Sequence, residues 1–203
     1  MSCTVMPMNR LRPVLHRAFA CVVACLPLHA PAQADDAALL RELRAGAVVL
    51  MRHTQTTPGV GDPPGWRLER CESQRNLAPE GMAHAQRIGQ WFKTHQLRVS
   101  MVRNSPWCRT RDTATLAFGR HDDWPALANL FENRSGADTQ AAAVKQYIDG
   151  VKPGELVVLV SHGSTIGHIV PDGAGLASGE AVLVRRAPRS GAAPLVLGRL
   201  TIP

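Results

Sequence analysis

The sequence predicts an α/β fold, a three-layer αβα sandwich around a mainly parallel central sheet. Three observations predict it. Ala47–Met51 (AVVLM) and Leu156–Val160 (LVVLV) are unbroken apolar runs with the length and β-branched content of strands buried on both faces. Amphipathic helical stretches alternate with such runs, the longest being Pro79–His95. Three of the strands deliver polar residues at their carboxyl ends, where ligands of these sheets sit.

The first 34 of the 203 residues stand apart from this domain. Arg10, Arg12 and Arg17 form a basic start, Ala18–Leu26 is uncharged and mostly apolar, and Ala32-Gln33-Ala34 offers a small-x-small cleavage site. This is the pattern of a signal peptide over 1–34, which leaves 35–203 as one mature domain in the periplasm or outside the cell. His16 and Arg17 interrupt the apolar run, and a membrane span needs about 17 to 25 apolar residues, so no transmembrane span is expected. Val22-Val23-Ala24-Cys25 resembles a lipobox, and a lipid anchor at Cys25 is the rival reading, set behind the alanine-rich cleavage site. Three of the five cysteines lie in the leader. Cys71 and Cys108 remain, and an even pair in an oxidising compartment points to a disulfide, with two separate buried thiols as the alternative.

Removing the leader takes away three arginines and lowers the formal charge from +7 to +4. The excess is mild, there is no basic run, and the chain has one Tyr and four Phe. Nucleic-acid binding gains no support from this, whereas a small anionic substrate fits it.

Along the domain, leucines 39, 40 and 43 alternate with charges in a short helix closed by Gly46, and Ala47–Met51 follows as a strand ending at Arg52-His53. Thr57–Gly65 is crowded with Pro and Gly, so it is a long loop beyond the strand end that either shapes a site or is a tolerated insertion. In Pro79–His95 the residues Met82, Ala85, Ile88, Gly89 and Phe92 recur at helical spacing and form an inward stripe. Val99–Val102 is a strand broken by Ser105-Pro106, and Trp107–Phe118 and Ala137–Tyr147 are helical. After LVVLV and Ser161-His162-Gly163 comes a brief helix. Ala181–Val184 and Leu195–Ile202 are two further strands.

The strand ends bring together Arg52 with His53, Asn104-Ser105-Pro106 leading to Arg109, and His162. A single histidine after a strand is more often structural, and a single exposed arginine is usually a solvated charge. Two of each converging on one crevice suit phosphate chemistry, because a transferring phosphoryl group spreads negative charge over three oxygens. Arginine binds those oxygens with a planar fork. A neutral imidazole can attack phosphorus. His84, His95, His121 and His168 lack this placement.

Arg52-His53-Thr54-Gln55-Thr56 resembles the Arg-His-Gly-Glu/Gln-Thr signature of the histidine phosphatase (phosphoglycerate mutase-like) superfamily. In the same order, 104–114 (NSPWCRTRDTA) resembles its Ser-Ser-Pro-x-x-Arg-x-x-x-Thr-Ala motif, Leu130-Phe131-Glu132 its Leu-x-Glu, and Ser161-His162-Gly163 its second histidine motif. Arg75-Asn76-Leu77 with 79–81 resembles the helix start common in that group. The likeness spans 47 to about 167. Thr54 replaces the usual glycine and Gly59 stands where many members carry asparagine, departures that bear on the substrate pocket.

The resemblance implies a phosphoglycerate mutase-like fold and a phosphomonoesterase in which His53 is the nucleophile, passing through a phosphohistidine. Arg52, Arg109 and His162 would hold the phosphate. Glu132 would be the general acid and base, with Asp112, Glu69, Glu72 and Asp62 as the other carboxylates at hand. No cofactor is implied, and no metal: there is no Cys-x-x-Cys pair, the key histidines lie on different strands, and there is no acidic cluster. A cysteine phosphatase is excluded because Ala114, not arginine, stands six residues after Cys108. The expected substrate is a small phosphorylated compound, a sugar phosphate or an envelope component. Two other functions compete: a catalytically silent phosphate- or sugar-phosphate-binding protein of the same fold, and a mutase, against which an exported location argues.

Overall fold

The structure, a computed structural model, describes residues 36–189 and 192–202. The expected signal peptide, its cleavage site and Cys25 lie outside the described residues. Five strands form one sheet: β1 (Val48–Arg52), β2 (Val99–Asn104), β3 (Leu156–Ser161), β4 (Ala181–Arg185) and β5 (Leu195–Leu200). Their order is β2-β3-β1-β4-β5. The three strands that carry the expected site are parallel, with Val48 opposite Val157 and Arg52 opposite Ser161 between β1 and β3, and Val102 opposite Val158 between β2 and β3. Beyond β1 the sheet turns antiparallel through β4 and β5.

Five helices cover the two faces: α1 (Asp36–Ala45), α2 (Pro79–Thr94), α3 (Cys108–Phe118), α4 (Ala137–Gly150) and α5 (Gly163–Ile169). Alternation along the strands assigns each helix to a layer. Val49, Met51, Val158 and Val160 pack with Leu39 and Leu43 of α1, Ile88 and Phe92 of α2, and Ala114 and Ala117 of α3. Val48, Leu50, Val157 and Leu159 pack instead with Ala141, Val144 and Ile148 of α4 and Ile166 and Ile169 of α5. Every residue of β3 is buried, which is why it reads as a continuous apolar run.

The inward stripe of α2 is Gly81, Ala85, Ile88, Gly89 and Phe92, and Met82 is exposed. The spacing was met equally well by 81 and 82, and close packing decides between them. A Cβ at Gly81 would lie 1.9 Å from the Gln55 carbonyl oxygen, so only glycine lets the helix seat against the loop that follows His53. Pro79 opens α2 at a position where its missing N–H costs no helical hydrogen bond. No helix among the described residues is long and apolar enough to cross a membrane.

Candidate active site

Sheet hydrogen bonding continues past the ends of the parallel strands and sets the two histidines side by side. The His53 N–H donates to the Ser161 carbonyl at 3.0 Å, and the Ser105 N–H donates to the Val160 carbonyl at 2.9 Å. The His53 and His162 rings meet edge to face with centroids 5.4 Å apart, and Trp107 packs against the other side of His162 at 5.5 Å. Thr54, fully buried, uses its side chain here. Its N–H and hydroxyl both lie 3.2 Å from the Thr113 hydroxyl, which ties the residue after His53 to α3.

His53 is 4% exposed, and its Nδ1 stands 2.8 Å from the Thr54 carbonyl oxygen. A carbonyl can only accept, so Nδ1 carries the proton and Nε2 is left with a free lone pair. Burial pushes the imidazole down to about 3; the Thr54 bond pulls the other way, and the charges of Arg109, Arg52 and Arg75 add to the lowering. Burial also holds His162 well below its ordinary value, with His53 and the same three arginines contributing. His162 Nε2 lies 2.8 Å from the Ser105 hydroxyl.

These residues open on a cavity of about 650 Å³ that is lined by Arg52, His53, Arg75 and His162 together with parts of the 59–61 loop, the 129–137 segment, α5 and 174–176. Among the described residues no carboxylate lines this cavity. Arg52 donates Nη1 to the Leu176 carbonyl at 2.6 Å, while its buried Nε has no partner among the described residues. Burial, and then the neighbouring charge of Arg75, lower its pKa, with Glu180 opposing them. A buried guanidinium N–H without an acceptor is costly unless a ligand oxygen supplies one.

Arg109, only 1% exposed, does not line this cavity. It forms a two-pronged pair with Asp62, Nη1 to Oδ1 at 2.7 Å and Nη2 to Oδ2 at 3.3 Å, and both side chains are buried. Asp62 also accepts from the Arg75 N–H at 3.0 Å and from the Trp107 indole at 3.0 Å. Burial raises the Asp62 carboxyl, but the bonds from Arg109, Arg75 and Trp107 outweigh it and leave the group below its ordinary value. The charge of Arg109 therefore reaches His53 through space.

Glu132 is exposed and does not line this cavity. Its carboxylate accepts from the Asp62 N–H at 3.4 Å and the Trp66 indole at 3.3 Å. It lines a neighbouring cavity of about 390 Å³ with Trp66 and Trp107, and Asn129 belongs to both cavities. Gly61, at φ +70°, forms the partition: a Cβ there would come within 3.1 Å of Glu132 Oε1.

Cys71 and Cys108 form a disulfide with Cα atoms 5.6 Å apart. It joins the loop that carries Asp62 and Arg75 to the first turn of α3, one residue before Arg109. Among the described residues no group of three His, Cys, Asp or Glu is arranged to hold a metal ion.

Two members of this neighbourhood, Arg75 and Asp62, are not marked as cavity residues by the sequence. Arg75 was read only as part of a helix start, yet it lines the cavity and bonds to Thr56, Gly59 and Gly61 of the loop. Asp62 was read only as one of several spare acids. Neither shows a periodicity, since both belong to an irregular loop, and the motif containing Arg75 was the only available signal.

No protein-family model matches the sequence, and no curated protein matches it. Solved structures do. The protein histidine phosphatase SixA complexed with tungstate is 15% identical, with a TM-score of 0.53 over 76% of this chain and 96% of that one. TTHB049 from Thermus thermophilus is 22% identical, with a TM-score of 0.51 over 77% and 96%. A phosphoserine phosphatase from Entamoeba histolytica in complex with 3-phosphoglyceric acid is 13% identical, with a TM-score of 0.52 over 77% and 97%. The chain thus has the phosphoglycerate mutase-like fold of the histidine phosphatases, a five-stranded sheet that is parallel at its centre and flanked by helices.

Proposed function

We propose that the protein is a metal-independent phosphomonoester hydrolase that works through a phosphohistidine at His53. The observation that carries this reading is the protonation state of His53. Its Nδ1–H is committed to the Thr54 carbonyl, and the ring is held neutral, so Nε2 is a ready nucleophile inside a cavity bordered by the guanidinium groups of Arg52, Arg75 and Arg134. Nε2 attacks phosphorus as the ester P–O bond breaks, the departing oxygen takes a proton, and water then cleaves the P–N bond and returns His53 to its starting state. Arg52, Arg75 and His162 hold the equatorial oxygens, and Arg109 supplies positive potential from behind. Glu132 serves as proton donor and then as base by swinging across the Gly61 partition from its place beside Trp66. The neighbouring folds support the reading, since they include a phosphatase bound to tungstate and another bound to a phosphorylated acid. A sugar phosphate or a phosphorylated envelope component is the substrate class, and the leader sequence and the disulfide both support a periplasmic or secreted location.

One observation favours the rival, a silent phosphate-binding protein: Glu132 is engaged elsewhere and no carboxylate lines the cavity. An assay with p-nitrophenyl phosphate and EDTA separates the two. Turnover is expected, and His53→Ala should reduce it by about 10⁴-fold or more. Phosphate binding without turnover on a broad panel of phosphoesters would establish the rival, and labelled phosphate trapped on another histidine would overturn the nucleophile.

A further inference from the structure

The cavity is larger than one phosphoryl group requires. At about 650 Å³ it has the capacity of a site for a whole small molecule. Beyond the histidines its wall includes Val60 and Phe131, apolar side chains 85% and 54% exposed, which offer a surface for a carbon skeleton. It also includes Arg134 and His168. His168 lies six residues after His162 along α5, a rise of about 9 Å, so this part of the cavity is a substrate's length from the reacting phosphorus.

Charge is arranged unevenly along that length. Arg109 is neutralised by Asp62, but Arg134 has no acidic partner among the described residues. The two acids nearest in sequence are engaged elsewhere: Glu132 accepts from the Asp62 N–H and the Trp66 indole, and Asp138 pairs with His168 at 3.0 Å, which also docks α5 to the first turn of α4. The Arg134 carbonyl accepts the Ala137 N–H at 3.0 Å, which fixes the backbone of Arg134 at the head of α4. With no carboxylate in the lining, the phosphoryl group answers the charge of Arg52 and Arg75 and leaves that of Arg134 unanswered.

Resting on the phosphatase reading above, we infer that the substrate carries a second anionic group, phosphate or carboxylate, at the far end of its carbon skeleton, and that Arg134 receives it. A guanidinium fork suits either oxyanion. A charge-assisted hydrogen bond of this kind corresponds to about 10- to 100-fold in affinity.

The test compares matched probes: fructose 1,6-bisphosphate against fructose 6-phosphate, and 6-phosphogluconate against glucose 6-phosphate, with wild type and Arg134→Gln. The wild-type kcat/KM should favour the doubly anionic member of at least one pair by about tenfold or more, and the substitution should bring that ratio close to one, with Arg134→Lys restoring part of it. The favoured pair identifies the second group as phosphate or carboxylate. A wild-type ratio near one in both pairs, or a ratio unchanged by Arg134→Gln, overturns the inference. If no probe is turned over, the p-nitrophenyl phosphate assay decides the phosphatase reading, and the same ratios taken from dissociation constants by calorimetry decide the role of Arg134.

Discussion

His53 and His162 are 4% and 3% exposed, His53 held by a backbone bond that extends the parallel sheet and His162 by its carbonyl at the head of α5, whereas Glu132 and Arg134 stand exposed on the 129–136 segment across the cavity. Between these extremes, the 57–75 loop is fixed by side chains: the Asp62–Arg109 pair, the contacts of Arg75, and the disulfide. The floor of the site thus inherits its geometry from strands buried on both faces. The wall has no such scaffold and depends on a few charged and covalent links. The difference teaches that His53 and His162 can be preorganised by the fold itself, while Glu132 and Arg134 rely on loop chemistry that can vary without disturbing the sheet.

The wall is the place to break first. Asp62→Ala leaves the Arg109 guanidinium buried without its bonded carboxylate, and denaturant unfolding should show a loss of about 3–5 kcal/mol. A loss under about 1 kcal/mol would mean that water takes over the role of Asp62, and the wall would then be softer than its buried pair implies. Replacing Cys71 and Cys108 together by alanine should cost about 2–4 kcal/mol, because the bridge closes a sequence separation of 37 residues. Limited proteolysis of that variant should cut first within 57–75 and leave the strands protected. Cleavage starting in the strands would contradict the division.

Acid sharpens the comparison from the other side. A histidine kept neutral in the fold binds fewer protons than it does when unfolded, so the floor loses stability as the pH falls below about 6.5, by about 1.4 kcal/mol per pH unit for each such histidine. For His53 that loss continues down to about pH 3. The Asp62 carboxyl is also lowered, and its contribution is complete above the ordinary carboxylate value and disappears only as the pH falls through the depressed one. Stability measured against pH should therefore decline first from the floor and then from the wall, and His53→Gln should flatten the upper part of the decline. For the same reason the acid limb of kcat/KM should lie well below pH 6. A limb near 6.5 would show that His53 is solvated.

The layers of the fold were legible in the sequence because burial on both faces forces apolar runs and one-sided burial forces helical periodicity. Arg52, His53 and His162 were legible for a related reason: each follows such a run directly, so finding the strand locates the residue. The position of the α2 stripe was not, since spacing alone cannot separate Gly81 from Met82, and the Gln55 carbonyl decides between them. Nor was the setting of Arg109. Its motif marks the residue, but its partner, Asp62, lies 47 residues away in an irregular loop. By itself the sequence determined the alternation of strands and helices and the placing of His53 and His162 at strand ends. Only the tertiary structure decided that Arg75 lines the cavity, that Arg109 is engaged by Asp62, and that Glu132 rests beside Trp66. Those are side-chain pairings between segments with no periodic signal, and they are settled only when the segments are packed together.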